Sequence, residues 1–442
     1  MYFDYTIPRK FQWFTQSRYG LFIHWGPYSM IGRGEQVLYR EHLDPVAYEQ
    51  MACAWNPRHY DPKAWARLAR AAGMRYACMT TRHHDGYCLW DSAWTDYTSM
   101  KQAPGRDFIR EYVDAFRAEG LKVGLYYSWC DFRIPAYYAG PAKDPAGWAA
   151  MKTYIHNQVR ELLTQYGKID YFFFDGVWPR CAEDLGSPEL VAEMRRLQPD
   201  IMINNRLGYS TDPMQLAKSG GGHDEGDFGT PEHLVTPENR LWESNQVSYW
   251  RWWGFSRGER WKTAEQFLDL LCSCATHGGN LLMNVGPTPD GELQEEFQER
   301  ALAVGKWLAK YGEAIYGNDG GDLTEALTYG YQSIKGHDLY LIFRFWSGNP
   351  EFRLADLTSP VESATLMSTG EPLSFTQKDG VLILHGLPSA VDEALFPVIK
   401  ITCAGRPATN QWGDERLWGG DPSRIARWAA PRGGAGFDAC KF

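Results

Sequence analysis

Short apolar runs alternate with amphipathic stretches from residue 18 to about residue 313. The runs are YGLFIHWG (19–26), YACMTTRHHDG (76–86), LKVGLYYSW (121–129), IDYFFFDG (169–176), IMINNR (201–206), LWESN (241–245) and NLLMNVGP (280–287). Each has the length of a buried strand, and each ends among polar residues. Between them, stretches such as DPKAWARLARAAG, RDFIREYVDAFRAEG, MKTYIHNQVRELLTQYG and TAEQFLDLLCSCATHGG place apolar residues at helical spacing. Helix punctuation agrees. Gly73, Gly120 and Gly167 close helices just before the next strand, and Thr263 with Gln266 forms a capping box. Ser187-Pro188 predicts an N-cap followed by proline in the first turn.

Strands alternating with helices imply parallel pairing through right-handed crossovers. Seven such units in nearly 300 residues predict an α/β fold, a (β/α)8-like TIM barrel with one degraded unit. A doubly wound nucleotide fold would need a glycine-rich phosphate loop, and neither GxGxxG nor GxxxxGKS follows any of these runs. Beyond residue 320 the texture changes. DLYLIFRFW, EFRLADL, VESATLM, GVLILHGL and FPVIKITC are short alternating strands broken by Gly, Pro, Asp and Ser, which predicts an antiparallel β-sandwich. The expected division is a barrel over 1–320, a sandwich over 321–405, and a tail over 406–442 for which no structure is predicted.

In such a barrel the chemistry gathers at the C-terminal ends of the strands. Those ends carry His24, His83-His84-Asp85, Tyr127 with Trp129, Asp175, Arg206, Glu243 and Asn284. A long insertion at 207–240 adds Asp227 and Glu232. Asp175 closes the run Tyr171 to Phe174, and a carboxylate there is costly unless it is hydrogen-bonded, paired or in use. It could cap the next segment, pair with Arg206 or do chemistry. Arg206 could equally be its partner or a ligand contact. His83 and His84 point to opposite faces while a strand lasts, so one metal can take both only beyond its end. With no HxH motif beside them, they read as hydrogen-bonding groups for a polyhydroxylated ligand, and no metal or cofactor is expected. The segment YWRWWGF (249–255) reads either as core or as a cleft wall.

Composition narrows the partners. A net charge of -9 leaves no excess of Lys and Arg to neutralise a nucleic-acid backbone. An aromatic share of 15% with 19 Trp suits clefts for amphipathic ligands, and exposed Trp residues leave room for a homo-oligomer. The nine scattered cysteines, of which only Cys272 and Cys274 lie close together, read as buried thiols of a reducing compartment. No signal-peptide h-region and no membrane-spanning run is visible, so the expectation is a cytoplasmic protein without a membrane partner. Two carboxylates among aromatics and histidines, without a phosphate loop, suit glycoside hydrolysis.

At these motifs the chain resembles the α-L-fucosidases of glycoside hydrolase family 29. The matching stretches are YGLFIHWGPYS, RHHDGYCLWDS, GLYYSW, IDYFFFDG, INNRLG, GDFGTPE, WWGF and GGNLLMNVGPTPDGEL, in family order over residues 13 to about 313. The resemblance implies a C-terminal β-sandwich and a retaining, exo-acting hydrolase of terminal α-L-fucosyl linkages, working by double displacement on a fucosylated glycan or small fucoside. It implies Asp175 as nucleophile and Glu232 as acid/base, with Glu243 as rival and Glu225 as an outsider. Sugar contacts carry over to His24, Glu35, His83, His84, Tyr127, Arg206 and Trp253. The chain departs from the family at Glu35-Gln36, where Glu-Trp is usual, and in its Trp-rich 249–255 segment. Three alternatives stand beside this reading: a related galactose-like substrate, a non-catalytic carbohydrate-binding barrel, and a metal-dependent hydrolase using His83, His84 and Asp85.

Overall fold

Among the described residues, eight parallel strands run through the first part of the chain: β1 (Tyr19–Ile23), β2 (Tyr76–Arg82), β3 (Lys122–Ser128), β4 (Tyr171–Asp175), β5 (Met202–Ile203), β6 (Phe228–Gly229), β7 (Leu241–Val247) and β8 (Asn280–Val285). The structure is a computed structural model that describes residues 6–209, 226–321, 329–355, 357–378 and 380–408. Its chain divides into two compact units, Met1–Gly321 and Asp322–Phe442. In the first, the sheet order is β5-β4-β3-β2-β1-β8-β7-β6. A parallel bridge between Asn204 and Phe228 joins the two ends, so the sheet closes into a barrel.

The strand missing from the hydrophobic pattern is β6. It has two residues, too few to leave a periodic signal, and lies inside the 207–240 insertion. Asp227 clasps this seam. Its N–H donates to the Ile203 carbonyl at 2.7 Å, and its carboxylate accepts the Ile203 N–H at 2.9 Å while pairing with Arg195. Asp227 therefore closes the barrel rather than serving the strand-end site. Glu225 lies outside the described residues.

Among the described residues, the helices that follow the strands and cover the barrel include α1 (Pro62–Ala71), α2 (Phe108–Ala118), α3 (Pro145–Gln165), α4 (Ser187–Leu197), α5 (Ala264–Thr276) and α6 (Glu295–Tyr311). Their starts are set by side chains that accept otherwise unpaired N–H groups. Asp61, Asp107 and Asp144 cap α1, α2 and α3, and the Thr263/Gln266 capping box opens α5. Gly73, Gly120 and Gly167 have φ of 82, 73 and 69°, as expected for residues that turn a helix toward the next strand. Ser187 is not an N-cap. Gly186, in the left-handed conformation, takes that position, and the Ser187 hydroxyl instead donates to the Leu207 carbonyl.

Alternation along the strands sorts side chains between the interior and the helix layer. Phe22, Tyr76, Cys78, Tyr126, Tyr171, Phe173, Met202, Phe228, Leu241 and Leu282 form one interior cluster with Phe11 and Phe14. Each large apolar side chain buried this way stabilises the fold by roughly 1.5–3 kcal/mol. In the second unit, β9 (Gly330–Lys335), β10 (Asp338–Phe343), β11 (Glu351–Leu354), β12 (Val361–Leu366), β13 (Glu371–Pro372), β14 (Ser374–Lys378), β15 (Val381–His385) and β16 (Val398–Cys403) form two antiparallel sheets. Their orders are β13-β12-β16-β10-β9 and β11-β15-β14, and a core of Leu339, Leu341, Leu366, Leu382, Leu384 and Ile399 packs within this unit. No helix among the described residues is long and apolar enough to cross a membrane.

Candidate active site

At the C-terminal end of β4 the Asp175 carboxylate meets three neighbours. Oδ1 accepts from Arg206 Nη1 at 2.8 Å, Oδ2 accepts from the Tyr126 hydroxyl at 2.8 Å, and His84 Nε2 lies 3.7 Å from Oδ2. Its side chain is 13% exposed. Burial alone would raise this carboxyl, but the Arg206 guanidinium, with hydrogen bonds from Arg206 and Tyr126, overrides it and holds the pKa down at about 2. Asp175 is thus a carboxylate at any working pH.

Arg206 follows β5 and links the two acids. Nη2 bonds Glu232 Oε2 at 2.8 Å, while Nε donates to Thr230 Oγ1 at 3.1 Å. Glu232 sits on the segment after β6. The N–H groups of His233 and Asn245 donate to the Asn245 and Pro231 carbonyls, which tie that segment to β7. One guanidinium therefore spans the nucleophile candidate and the acid/base candidate. His233, at φ 59°, lies 3.7 Å from Glu232 Oε1 and packs over Trp253 at 5.0 Å. A non-glycine residue in the left-handed region carries strain that only strong surroundings maintain.

The histidines gather where the pattern placed them. β2 ends at Arg82, so His83 and His84 leave the strand and both turn toward the pocket. Their rings are 4.0 Å apart, and His83 also stacks on Tyr126 at 5.5 Å. His24 bonds Asn284 Oδ1 through Nδ1 at 2.7 Å and packs against Trp253 at 5.2 Å. Glu35 is buried, and its Oε2 accepts the N–H groups of Trp253 (3.0 Å) and Gly254 (2.9 Å). It anchors the Trp253 wall through the backbone. Burial keeps all three histidines uncharged, with His24 lowered to about 3 and His84 to about 4.

Two expected site residues lie elsewhere. Tyr127 faces the helix layer: its hydroxyl donates to Gln158 on α3 at 2.8 Å, and the Arg82 guanidinium packs on its ring at 4.4 Å. Strand parity is the reason. Ser128 registers with Asp175 and Tyr126 with Phe173, so Tyr126 points inward and Tyr127 cannot. Glu243 lies apart from Asp175. It is the third residue of β7, registers with Asn280 at the start of β8, and accepts hydrogen bonds from Tyr76 and Tyr171, the first residues of β2 and β4. That places it at the closed end of the barrel. Tyr171 precedes Asp175 by four residues, roughly 13 Å along an extended strand.

His83, His84 and Asp175 offer three ligand atoms within 4.8 Å of one another. Both Asp175 oxygens are already hydrogen-bonded, and an arginine cation stands 2.8 Å away, so this donor set fits a metal ion poorly. Asp85 does not join it, since its carboxylate turns to the Tyr48 hydroxyl at 2.7 Å. Residues missed by the sequence pattern include Tyr126, which counting in twos from Asp175 across the β3–β4 register would have found. Trp178, 42% exposed and edge-on to His84 at 5.4 Å, is another; only its closeness to Asp175 along the chain points to it.

Residues 7–313 match the family described as alpha-L-fucosidase. The chain belongs to that family. It is 29% identical over 381 residues to the tissue alpha-L-fucosidase of Bos taurus, covering 81% of this chain and 79% of that one. Its structure is similar to that of alpha-L-fucosidase isoenzyme 1 from Paenibacillus thiaminolyticus, with a TM-score of 0.81, 36% identity, and coverage of 89% and 99% of the two chains. It is also similar to a family 29 alpha-L-fucosidase from Bacteroides thetaiotaomicron trapped as a covalent intermediate with 2-fluoro-fucosyl fluoride. That match has a TM-score of 0.81 at 26% identity and covers 90% of this chain and 96% of that one. The protein is a glycoside hydrolase of the α-L-fucosidase type.

Proposed function

We propose that this α-L-fucosidase removes terminal α-L-fucosyl residues with retention, Asp175 acting as nucleophile and Glu232 as acid/base. The observation that carries the reading is the Arg206 bridge, which sets two carboxylates on one pocket, one buried and ionised and the other at the rim. In the first step an Asp175 oxygen attacks the anomeric carbon, the glycosidic C–O bond breaks, and the leaving oxygen takes the Glu232 proton. Glu232 Oε2 rests on Arg206, so the proton travels on Oε1. In the second step Glu232 takes a proton from water, the hydroxide attacks the anomeric carbon, and the ester to Asp175 breaks with release of fucose. The covalent intermediate trapped in the Bacteroides relative supports this sequence. The burial of His24, His83 and His84 beside Asp175 is in keeping with action on a terminal residue. The substrate is then a fucosylated glycan or a small fucoside.

Hydrolysis of nitrophenyl α-L-fucoside by the wild type and by Asp175→Ala tests this directly. The variant is expected to lose on the order of a thousandfold or more in kcat and to recover part of it with azide, which replaces the missing nucleophile. Mass spectrometry of the wild type treated with 2-fluoro-fucosyl fluoride should find the sugar on the peptide holding Asp175. Undiminished turnover by Asp175→Ala, or labelling of another peptide, would remove Asp175 from the mechanism.

A further inference from the structure

Two backbone carbonyls determine how the sugar pocket donates and accepts. The Ser128 hydroxyl donates to the Cys130 carbonyl at 2.6 Å, and a carbonyl can only accept. Ser128 Oγ therefore turns a lone pair toward His84 Nδ1, 2.7 Å away, and that nitrogen must carry the hydrogen. The same logic applies across the pocket. Asn284 Nδ2 donates to the Trp253 carbonyl at 2.7 Å, which orients the amide and leaves Oδ1 to accept from His24 Nδ1 at 2.7 Å. In a neutral imidazole a hydrogen on Nδ1 leaves Nε2 bare. No described residue hydrogen-bonds either Nε2, and that of His84 faces Asp175.

We propose that Ser128 and Asn284 are positioning residues that hold His84 and His24 as Nδ1–H tautomers, so that two bare Nε2 atoms read two sugar hydroxyls as hydrogen-bond donors. The low basicity of both rings, which burial imposes, keeps them in this form above about pH 5. The consequence is a selectivity that hydroxyl layout alone does not describe. A substituent that accepts but cannot donate, such as fluorine or a methyl ether, leaves an imidazole lone pair facing another lone pair. The sugar part of this inference rests on the proposed fucosidase reading, whereas the tautomers do not.

Long-range nitrogen–proton NMR spectra of histidine-labelled protein without substrate read the tautomers. Both His24 and His84 should show Nδ1–H. Ser128→Ala should release His84 alone, Asn284→Ala should release His24 alone, and Ser128→Thr, which keeps the hydroxyl, should restore the wild-type pattern. With nitrophenyl fucosides, Ser128→Ala is expected to lose about tenfold in kcat/KM, the value of one well-placed hydrogen bond, and Ser128→Thr to recover most of it. Among wild-type substrates altered at C3 or C4, at least one fluorinated sugar should be as poor as its deoxy counterpart. An Nε2–H signal from either ring in the wild type would overturn the assignment. So would a Ser128→Ala variant with both tautomer and kcat/KM unchanged, or fluorinated sugars that all outperform their deoxy partners. If no fucoside is turned over, the functional reading fails while the substrate-free spectra still decide the tautomers.

Discussion

Arg206 donates in three directions at once, to Thr230, Asp175 and Glu232, and its guanidinium lies 5.2 Å from the Phe173 ring centre. Such a group positions the acids and also sets their charge. At Asp175 burial favours the neutral acid and the guanidinium favours the anion, and the anion prevails. Removing the cation leaves burial unopposed. In Arg206→Gln the Asp175 pKa is therefore expected to rise past the ordinary carboxylate value of about 4. Since a nucleophile reacts only when ionised, the acid limb of kcat/KM should move to higher pH, with activity lost at pH 4–5 before it is lost at pH 7. Arg206→Lys, which keeps a positive charge without the fork, should return the limb toward the wild type while recovering only part of the rate. A pH–rate profile on variants shown to be folded by circular dichroism measures this. An acid limb that stays in place would mean that Arg206 does not govern the ionisation of Asp175.

Strand parity separates neighbours as alike as Tyr126 and Tyr127, and it gives a paired prediction. Tyr126→Phe removes the hydroxyl bound to Asp175 and should lower kcat/KM by about tenfold or more with little change in unfolding. Tyr127→Phe should leave kcat/KM nearly intact but remove one of the two donors to the Gln158 oxygen on α3, leaving only Arg82 at 3.1 Å, and cost about 1 kcal/mol in urea unfolding. The reverse pattern would mean that the β3 register is wrong. The same pair shows what could be read before the structure. Barrel strands with seven clear apolar runs, the Thr263 capping box, the helix-closing glycines and Asp175 at a strand end were all legible, because burial and capping leave local signals. Tyr126 and Glu243 were not: which residue of a fully buried strand points inward depends on a neighbour's register, and Glu243 does point inward but lies near the start of β7, which runs on to Val247. Both faces of such a strand are apolar, so alternation disappears from the sequence. β6 escaped for a different reason. At two residues it is held by the Asn204 bridge and the Asp227 clasp rather than by hydrophobic pattern.

At the scale of the whole barrel, the two ends of its interior titrate in opposite senses. At the open end, burial lowers His24 and His84, so the folded chain stays neutral where the unfolded chain takes up protons. Asp175 is lowered as well, and the stability it contributes is lost only as pH falls from about 4 toward 2. These groups make the fold more stable as pH rises toward about 6.5, the ordinary histidine value. Glu243, at the closed end, works the other way. Burial raises its pKa to about 7 despite hydrogen bonds from Tyr171 and Tyr76. Between about 4.5 and 7 the folded chain holds a proton on Glu243 that the unfolded chain has released, so stability falls as pH rises through that window. The loss can reach about 3 kcal/mol and is complete above pH 7. Glu243→Gln keeps the shape and cannot ionise, so it should remove the alkaline decline while leaving the acid side in place. Urea midpoints at pH 5 and pH 8 read the difference: the variant should gain on the wild type at pH 8 by more than it gains at pH 5. Equal gains at both values would mean that Glu243 is ionised in the fold, with the two tyrosines stabilising its charge. The same variant should keep its fucosidase activity, since the proton that Glu243 holds lies some four strand residues below the chemistry, and loss of turnover without loss of stability would return it to the list of candidate acids.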